Sequence, residues 1–304
     1  MTVRPSSATA RAIHPHFFII GAAKAGTTWL VQTLRANSVY LPSDEIHYFS
    51  RLFTKKDWTW YIHHFADASP GDVIGENSNT YLTDREAAGR IRLRLPDAKL
   101  VAVLRNPIER AYSGYCMQLA RGKVSNDVEK YLDPQNPQTS FIVEYGKYHA
   151  MLQRYFDAFP AEQVFIAIYD DLLENARAEL VKLATFLGAP QRELVKPLFT
   201  KVNARKTVSI AYPLRRFLWP MMCREAVRRP LVKVLRGMPL WQLAESGLSA
   251  PVAYPPLPER TRCRLAEYYA DDVRQLSHIL GRDLSCWLKP PVSQVGETAS
   301  LPLA

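Results

Sequence analysis

A chain of 304 residues with 47% hydrophobic and 22% charged residues has ordinary globular composition and enough apolar material for one large core. That excludes a disordered chain, a collagen-like fibre and a disulfide-stapled mini-protein. Thirty-nine basic against 29 acidic residues leave a net charge of +10, and such a balance points to an anionic partner, for which nucleic acid, an acidic lipid surface and a phosphorylated cofactor all qualify.

Cys116, Cys223, Cys263 and Cys286 are scattered without metal-ligand spacing, which fits thiols in a reducing compartment. The first sixteen residues carry no long apolar run, so no signal peptide is expected. No stretch reaches about 18 apolar residues without a charge, so no membrane-spanning helix is expected either. The compartment these features predict is the cytoplasm.

There is no internal repeat. The first element is a short apolar run, His16-Phe17-Phe18-Ile19-Ile20, that breaks into Gly21-Ala22-Ala23-Lys24-Ala25-Gly26-Thr27-Thr28 and continues into a helical pattern from Trp29 through Leu34. This is strand, glycine loop, helix. Val73-Ile74 is a shorter strand candidate. Leu100 to Leu104 forms a further apolar strand ending at Arg105-Asn106-Pro107, where Asn106, Pro107 and Glu109 have the order of N-cap, first helical residue and capping-box acid. Val164 to Ile168 is another strand, followed by Tyr169-Asp170-Asp171 and a helix to about Leu187, stopped by Gly188 and Pro190. Fully apolar strands alternating with helices predict an α/β fold: a central parallel sheet covered by helices on both faces.

After Pro190 the character changes. Between Tyr212 and Leu243, Arg215, Arg216, Arg224, Arg228, Arg229, Lys233 and Arg236 stand against one acid, Glu225, among Phe217, Trp219, Met221, Met222 and Trp241. Pro213, Pro220, Pro230 and Pro239 exclude a single long helix here. The segment is either a set of short helices with solvated arginines or a basic cap over an acceptor cleft, able to meet a large anionic or lipid-linked acceptor at an anionic membrane surface. A helical pattern returns from Pro258 to Leu280. The chain thus divides into a flexible N-terminus (1–15), a catalytic domain (16–288) with the basic insertion at 212–243, and a Pro-, Ser- and Gly-rich tail (289–304) whose composition predicts disorder.

Gly21 and Gly26 have the spacing of a nucleotide phosphate loop, and a glycine turn leading into a helix N-terminus makes an anion cradle. The ATPase and GTPase form of that loop places lysine directly after the second glycine. Here Thr27 stands there, and the lysine is Lys24, two residues before Gly26. Arg105 ends an apolar strand, and Ser113 follows on the next helix. In an open α/β sheet, ligands sit outside the carboxyl ends of the strands, and both the glycine loop and Arg105 belong to that rim.

Together these segments resemble the sulfotransferases that use 3′-phosphoadenylyl sulfate (PAPS). Phe18 to Leu30 is similar to their 5′-phosphosulfate loop, and Leu104 to Ser113 to their 3′-phosphate motif, in the same order along the chain. Gly75 to Tyr81, Ile168 to Leu173 and Tyr268 to Leu284 also resemble family segments. The likeness is to bacterial members related to the heparan-sulfate type. It implies a P-loop-like sulfotransferase fold and transfer of a sulfuryl group from PAPS to an acceptor hydroxyl, the acceptor being carbohydrate or lipid-like, without nucleic acid and without a metal.

The resemblance also implies roles. Lys24 would touch the phosphosulfate bridge, and Ala25, Gly26, Thr27 and Thr28 would supply backbone and hydroxyl hydrogen bonds. Arg105 and Ser113 would grip the 3′-phosphate, and Arg205 and Lys206 stand where relatives place late basic residues. Ser43-Asp44-Glu45-Ile46-His47-Tyr48-Phe49 resembles the segment that carries a catalytic glutamate, so Glu45 is the first candidate for general base and His47 its rival. The family often has lysine where Asp44 stands; Asp44 either raises the basicity of the pair or faces water. Lysine and proline are common in the family where this chain has Asn77 and Asn79. His63-His64 lacks a third nearby ligand and reads as packing. Two other functions meet part of the pattern: an ATP-dependent P-loop kinase, against which the positions of Lys24 and Arg105 argue, and a basic membrane- or nucleic-acid-binding module, which leaves both unexplained.

Overall fold

The computed structural model describes residues 13–37, 39–69, 71–137, 139–189, 208–209, 249–250 and 254–289. Arg205, Lys206, the basic segment at 212–243, the N-terminal twelve residues and the tail from 290 lie outside the described residues, so the expectations attached to them stand as sequence readings.

Five strands form one parallel sheet: β1 (Phe17–Gly21), β2 (Val39–Tyr40), β3 (Val73–Asn77), β4 (Lys99–Leu104) and β5 (Val164–Ile168), in the spatial order β2-β3-β1-β4-β5. Phe17 to Ile20 and Leu100 to Leu104 are fully buried. This is the burial that two-sided helix cover imposes on central strands, and it explains why they read as unbroken apolar runs. At the sheet edge, Val164, Phe165 and Ile166 of β5 are half-buried. Val73-Ile74 is the start of β3, as the sequence suggests. Gly75 is required there: a Cβ would sit 2.1 Å from Cζ of the Phe17 ring on β1. A further two-stranded antiparallel pair, β6 (Val208–Ser209) and β7 (Ser249–Ala250), lies outside the main sheet.

The helices follow from local signals. In chain order they are α1 (Thr27–Ala36), α2 (Trp58–Ile62), α3 (Ala87–Arg94), α4 (Pro107–Ala120), α5 (Val128–Tyr131), α6 (Ser140–Glu144), α7 (Tyr148–Ala158), α8 (Tyr169–Glu174), α9 (Ala176–Leu187) and α10 (Glu259–Leu280). Asn106 caps α4 by accepting from the amides of Ile108 and Glu109, with Pro107 in the first turn. The capping-box role expected of Glu109 is replaced by an ion pair: its carboxylate takes Arg262 of α10 at 2.7 Å. The single helix expected after Asp171 and running to about Leu187 is two, the first beginning already at Tyr169. Asn175 interrupts it, because its side chain accepts from the amide of Ala178 and caps α9, an alternative that asparagine offers more readily than a helix interior. Gly188 ends α9 in the left-handed conformation. The pattern from Pro258 to Leu280 is α10, which packs Leu265, Tyr269, Val273 and Leu276 inward. Among the described residues, no helix is long and apolar enough to cross a membrane.

The strand order has a consequence for ligand binding. From β1 the chain passes to β2 and β3 on one side, and then crosses to β4 and β5 on the other. The crevice between the carboxyl ends of β1 and β4 is therefore the topological switch point, where ligands bind in open α/β sheets.

Candidate active site

The glycine loop leaves β1 at this switch point. It is tied to the neighbouring strand by Ala22, whose amide donates to Val103 at 2.9 Å, and it closes on itself where Ala25 donates to Ala22. Lys24 takes φ 73° and Gly26 φ 92°. Left-handed backbone suits glycine but strains lysine, and such strain concentrates at functional sites. At Gly26 space is also limiting: a Cβ would meet the Tyr169 ring at 2.9 Å. Gly26 precedes α1 without any side-chain cap and without an acid in the first turn, so the first amides of α1, at Thr27, Thr28 and Trp29, have no acceptor within the helix. Thr27 is buried and Thr28 exposed. This is a backbone cradle with positive polarity.

Arg105, at the end of β4, comes to the other side of the same crevice. Its Nη1 lies 3.4 Å from the carbonyl of Lys24, and its guanidinium lies 4.9 Å from the centroid of the Tyr169 ring. The buried Tyr148 hydroxyl donates to the Arg105 carbonyl at 2.8 Å and fixes the strand end. Ser113, two turns along α4, lines the cleft with Arg110 and Arg121. Arg110 is only 2% exposed; one terminal nitrogen donates to the Ile142 carbonyl, and Nε has no hydrogen-bond partner among the described residues. Among the described residues, none of Lys24, Arg105, Arg110 and Arg121 is ion-paired with a carboxylate. The Lys24 ammonium is held below the ordinary lysine value by burial first and then by the neighbouring charges of Arg121 and Arg105. Gathered, partly desolvated cations without protein counter-charges are the electrostatic signature of an anion site.

The cleft encloses about 1690 Å³, more than the 300–1,000 Å³ typical of a pocket for one small molecule. Glu45, His47, Asn79 and Thr80 also line it. Glu45 accepts from the backbone amide of Asn79 at 3.0 Å and from its side-chain nitrogen at 2.6 Å. His47 Nε2 lies 3.6 Å from Glu45, and His47 Nδ1 lies 2.9 Å from Thr80 Oγ1. Burial lowers the His47 pKa below its ordinary value; Glu45 opposes that shift and Arg51 adds to it. The imidazole is therefore neutral at neutral pH. Asp44 is exposed and takes a hydrogen bond from Ser43 at 3.2 Å, so it faces water.

Of the sequence candidates, Lys24, Gly26, Thr27, Thr28, Glu45, His47, Arg105 and Ser113 line one cleft, with the buried Ala25 in the loop between them. Tyr169, Arg110, Arg121 and Asn79 were missed. Tyr169 carried a signal, since it follows β5 at the same rim as Arg105. Asp170, which follows β5 and is an acid that a magnesium-dependent kinase could use, accepts from the Trp287 indole at 3.3 Å. His63 and His64 belong to a helical turn continuing α2, where His64 Nδ1 contacts the Trp60 carbonyl at 3.0 Å. Among the described residues, no three His, Cys, Asp or Glu side chains gather as metal ligands would.

A glycine loop and an opposed arginine at the switch point of a parallel sheet form a crevice suited to an anion. Residues 14–209 match the family model of the sulfotransferase domain, and the chain belongs to the sulfotransferase family. It is 29% identical over 181 residues to human heparan sulfate glucosamine 3-O-sulfotransferase 3B1, covering 57% of this chain and 46% of that protein. To human bifunctional heparan sulfate N-deacetylase/N-sulfotransferase 3 it is 25% identical over 304 residues, covering 92% of this chain and 32% of that protein. The chain thus spans about half the length of the 3-O-sulfotransferases it matches, and less of the bifunctional enzyme. In fold, it resembles the crystal structure of a sulfotransferase from Alicyclobacillus acidocaldarius, with a TM-score of 0.65 at 22% identity, covering 91% of this chain and 99% of the other.

Proposed function

We propose that this chain transfers a sulfuryl group from PAPS to a hydroxyl of a carbohydrate acceptor related to heparan sulfate. The observation that carries the reading is that Lys24, Arg105, Arg110 and Arg121 line one cleft at the switch point without a carboxylate partner among the described residues. The cradle of α1 amides and Lys24 suits a 5′-phosphosulfate, and Arg105 with Ser113 suits a 3′-phosphate. Sulfuryl transfer, like phosphoryl transfer, has a loose in-line transition state in which positioning and charge stabilisation dominate. The acceptor oxygen bonds to sulfur while the bond from sulfur to the 5′-phosphate oxygen breaks. Lys24 stabilises the charge arriving on that phosphate, and Glu45 takes the acceptor proton, with His47 beside it. The donor reading extends to Arg205 and Lys206 on the resemblance alone.

The acceptor class rests on the relatives, whose names specify heparan sulfate. They include both an O- and an N-sulfotransferase, so the test must separate hydroxyl from amine. A lipid-like acceptor and an anionic membrane contact have no such support. The first experiment is a thermal shift with adenosine 3′,5′-bisphosphate and, separately, ATP with magnesium. Stabilisation of about 3 kcal/mol at a hundred times Kd is expected for the bisphosphate, with loss in Lys24→Ala and Arg105→Ala. Tight ATP–magnesium binding without a response to the bisphosphate would overturn the donor assignment. Transfer of labelled sulfuryl from PAPS to heparan sulfate, with and without free amines, then identifies the accepting atom; transfer confined to a simple phenol would refute the carbohydrate reading.

A further inference from the structure

Glu76 sits at the end of β3 with no solvent exposure, yet it belongs to no ion pair among the described residues. Three hydroxyls converge on its carboxylate. Tyr61 of α2 donates to Oε2 at 2.5 Å, while Tyr81 and Ser78 donate to Oε1 at 2.5 and 2.7 Å. All three donors are themselves fully buried. A carboxylate removed from water is costly unless its oxygens are satisfied, and replacing such a group with apolar packing commonly stabilises a protein. Core stability alone is therefore a poor reason for an acid at this position.

The outward side of the network gives a better one. Ser78 Oγ, having donated to Glu76, accepts from the backbone amide of His47 at 2.9 Å. The Tyr81 oxygen, likewise committed to Glu76, accepts from the amide of Phe49 at 3.2 Å. Because each hydroxyl has one hydrogen, donating it to the carboxylate orients the oxygen lone pairs toward these amides. His47 itself holds a left-handed φ of 58°, a strained conformation that persists only where surroundings fix it. The buried carboxylate thus reaches, through two hydroxyls, the backbone on which His47 and the neighbouring Glu45 are carried.

We propose that Glu76 is a positioning residue for the proton-accepting pair Glu45 and His47, acting through Ser78 and Tyr81 on the backbone of His47 and Phe49. The proposal deepens the sulfotransferase reading and rests on it for the role of Glu45 and His47. It touches neither the glycine loop nor Arg105, so the donor site should be indifferent to it.

The test uses the full chain and the variants Glu76→Gln, Glu76→Leu and Ser78→Ala. Three quantities are followed: amide hydrogen exchange at His47 and Phe49, affinity for adenosine 3′,5′-bisphosphate by calorimetry, and kcat with PAPS and heparan sulfate. Glu76→Leu is expected to speed exchange at both amides by about tenfold, as loss of an oriented acceptor implies, and to lower kcat by at least as much. Nucleotide affinity should stay within about twofold. Glu76→Gln retains an oxygen for Ser78 and Tyr81 and should rescue both exchange and kcat. If Glu76→Leu does not fold, Ser78→Ala decides the matter, since it removes the bridge between Glu76 and the His47 amide, leaves the Tyr61 and Tyr81 bonds to Glu76 in place, and should speed exchange at His47. Wild-type exchange rates at His47 in Ser78→Ala, or a fall in kcat matched by an equal fall in nucleotide affinity, would overturn the proposal. Absence of any sulfuryl transfer by the wild type would refute the sulfotransferase reading instead, while the exchange rates would still report whether Glu76 fixes this segment.

Discussion

Asn79 holds both carboxylate oxygens of Glu45: the backbone amide reaches one at 3.0 Å and the side-chain nitrogen the other at 2.6 Å. The family often has proline at this position, which has no amide hydrogen to give. In this chain the loop after β3 therefore orients the proposed base directly. Asn79→Ala removes one of the two bonds and is expected to lower kcat by about tenfold, the usual worth of a hydrogen bond to a charged group. Asn79→Pro removes both and should lower it further. Steady-state kinetics check the order; a Pro variant as active as wild type would show that Glu45 needs no such restraint.

The roles of Glu45 and His47 separate by substitution. Glu45→Gln keeps the shape of the side chain and abolishes its basicity, so kcat should fall about 10²–10⁴-fold, the range of general-base contributions. His47→Ala should cost less, because the imidazole lies beside Glu45 at 3.6 Å and serves its orientation. The pKa of His47 is depressed by burial, so any dependence of kcat on a neutral imidazole should appear only below about pH 6.5. Near-normal turnover in Glu45→Gln with loss in His47→Ala would exchange the two roles.

Gly26 tests the donor cradle without altering a charge. Its φ of 92° and the Tyr169 ring 2.9 Å from a notional Cβ set two separate penalties on Gly26→Ala. The left-handed backbone costs about 1–2 kcal/mol, and the clash displaces the ring on which Arg105 rests. Affinity for adenosine 3′,5′-bisphosphate should fall at least tenfold. Adding Tyr169→Ala should relieve the clash but leave the backbone penalty and remove the ring under Arg105, so the double variant should not regain wild-type affinity. Calorimetry on wild type and the two variants checks this.

The central strands of the parallel sheet were legible because β1 and β4 are buried on both faces, and Phe17 to Ile20 and Leu100 to Leu104 had to be continuous apolar runs; the strand order was not. The glycine loop and Arg105 were legible for a related reason: their spacing obeys backbone rules that few residues satisfy. Arg110 was not, since an arginine one turn before Ser113 looks the same in sequence whether buried or solvated. Asn175 was read as helix interior because only its side-chain contact with the Ala178 amide distinguishes a cap from a helical asparagine. The Glu76 network was illegible for a different reason. Tyr61 lies fifteen residues from Glu76 on another element, and nothing local predicts that three hydroxyls converge.

That network also sets how stability depends on pH. Burial pushes the Glu76 carboxyl up from 4.5 to about 7, against the pull of the Tyr61, Tyr81 and Ser78 hydrogen bonds and with a further push from Glu45. In the unfolded chain the carboxyl ionises near its ordinary value, while the folded protein retains the proton to about pH 7. Between these values the folded state binds more protons than the unfolded state, so stability must fall as pH rises. The contribution is fully present below about pH 4.5 and is lost by the time pH passes 7; the width of the window corresponds to about 3 kcal/mol. Other groups titrate in the same range, Asp272 among them, and its carboxyl is also raised by burial. Glu76→Gln removes the titration of Glu76 alone and leaves the rest as an internal reference. Denaturant unfolding at a series of pH values should therefore show wild type losing stability relative to Glu76→Gln between pH 4.5 and 7, with a constant difference outside that window. Parallel curves throughout would mean that the buried carboxyl keeps one protonation state across it.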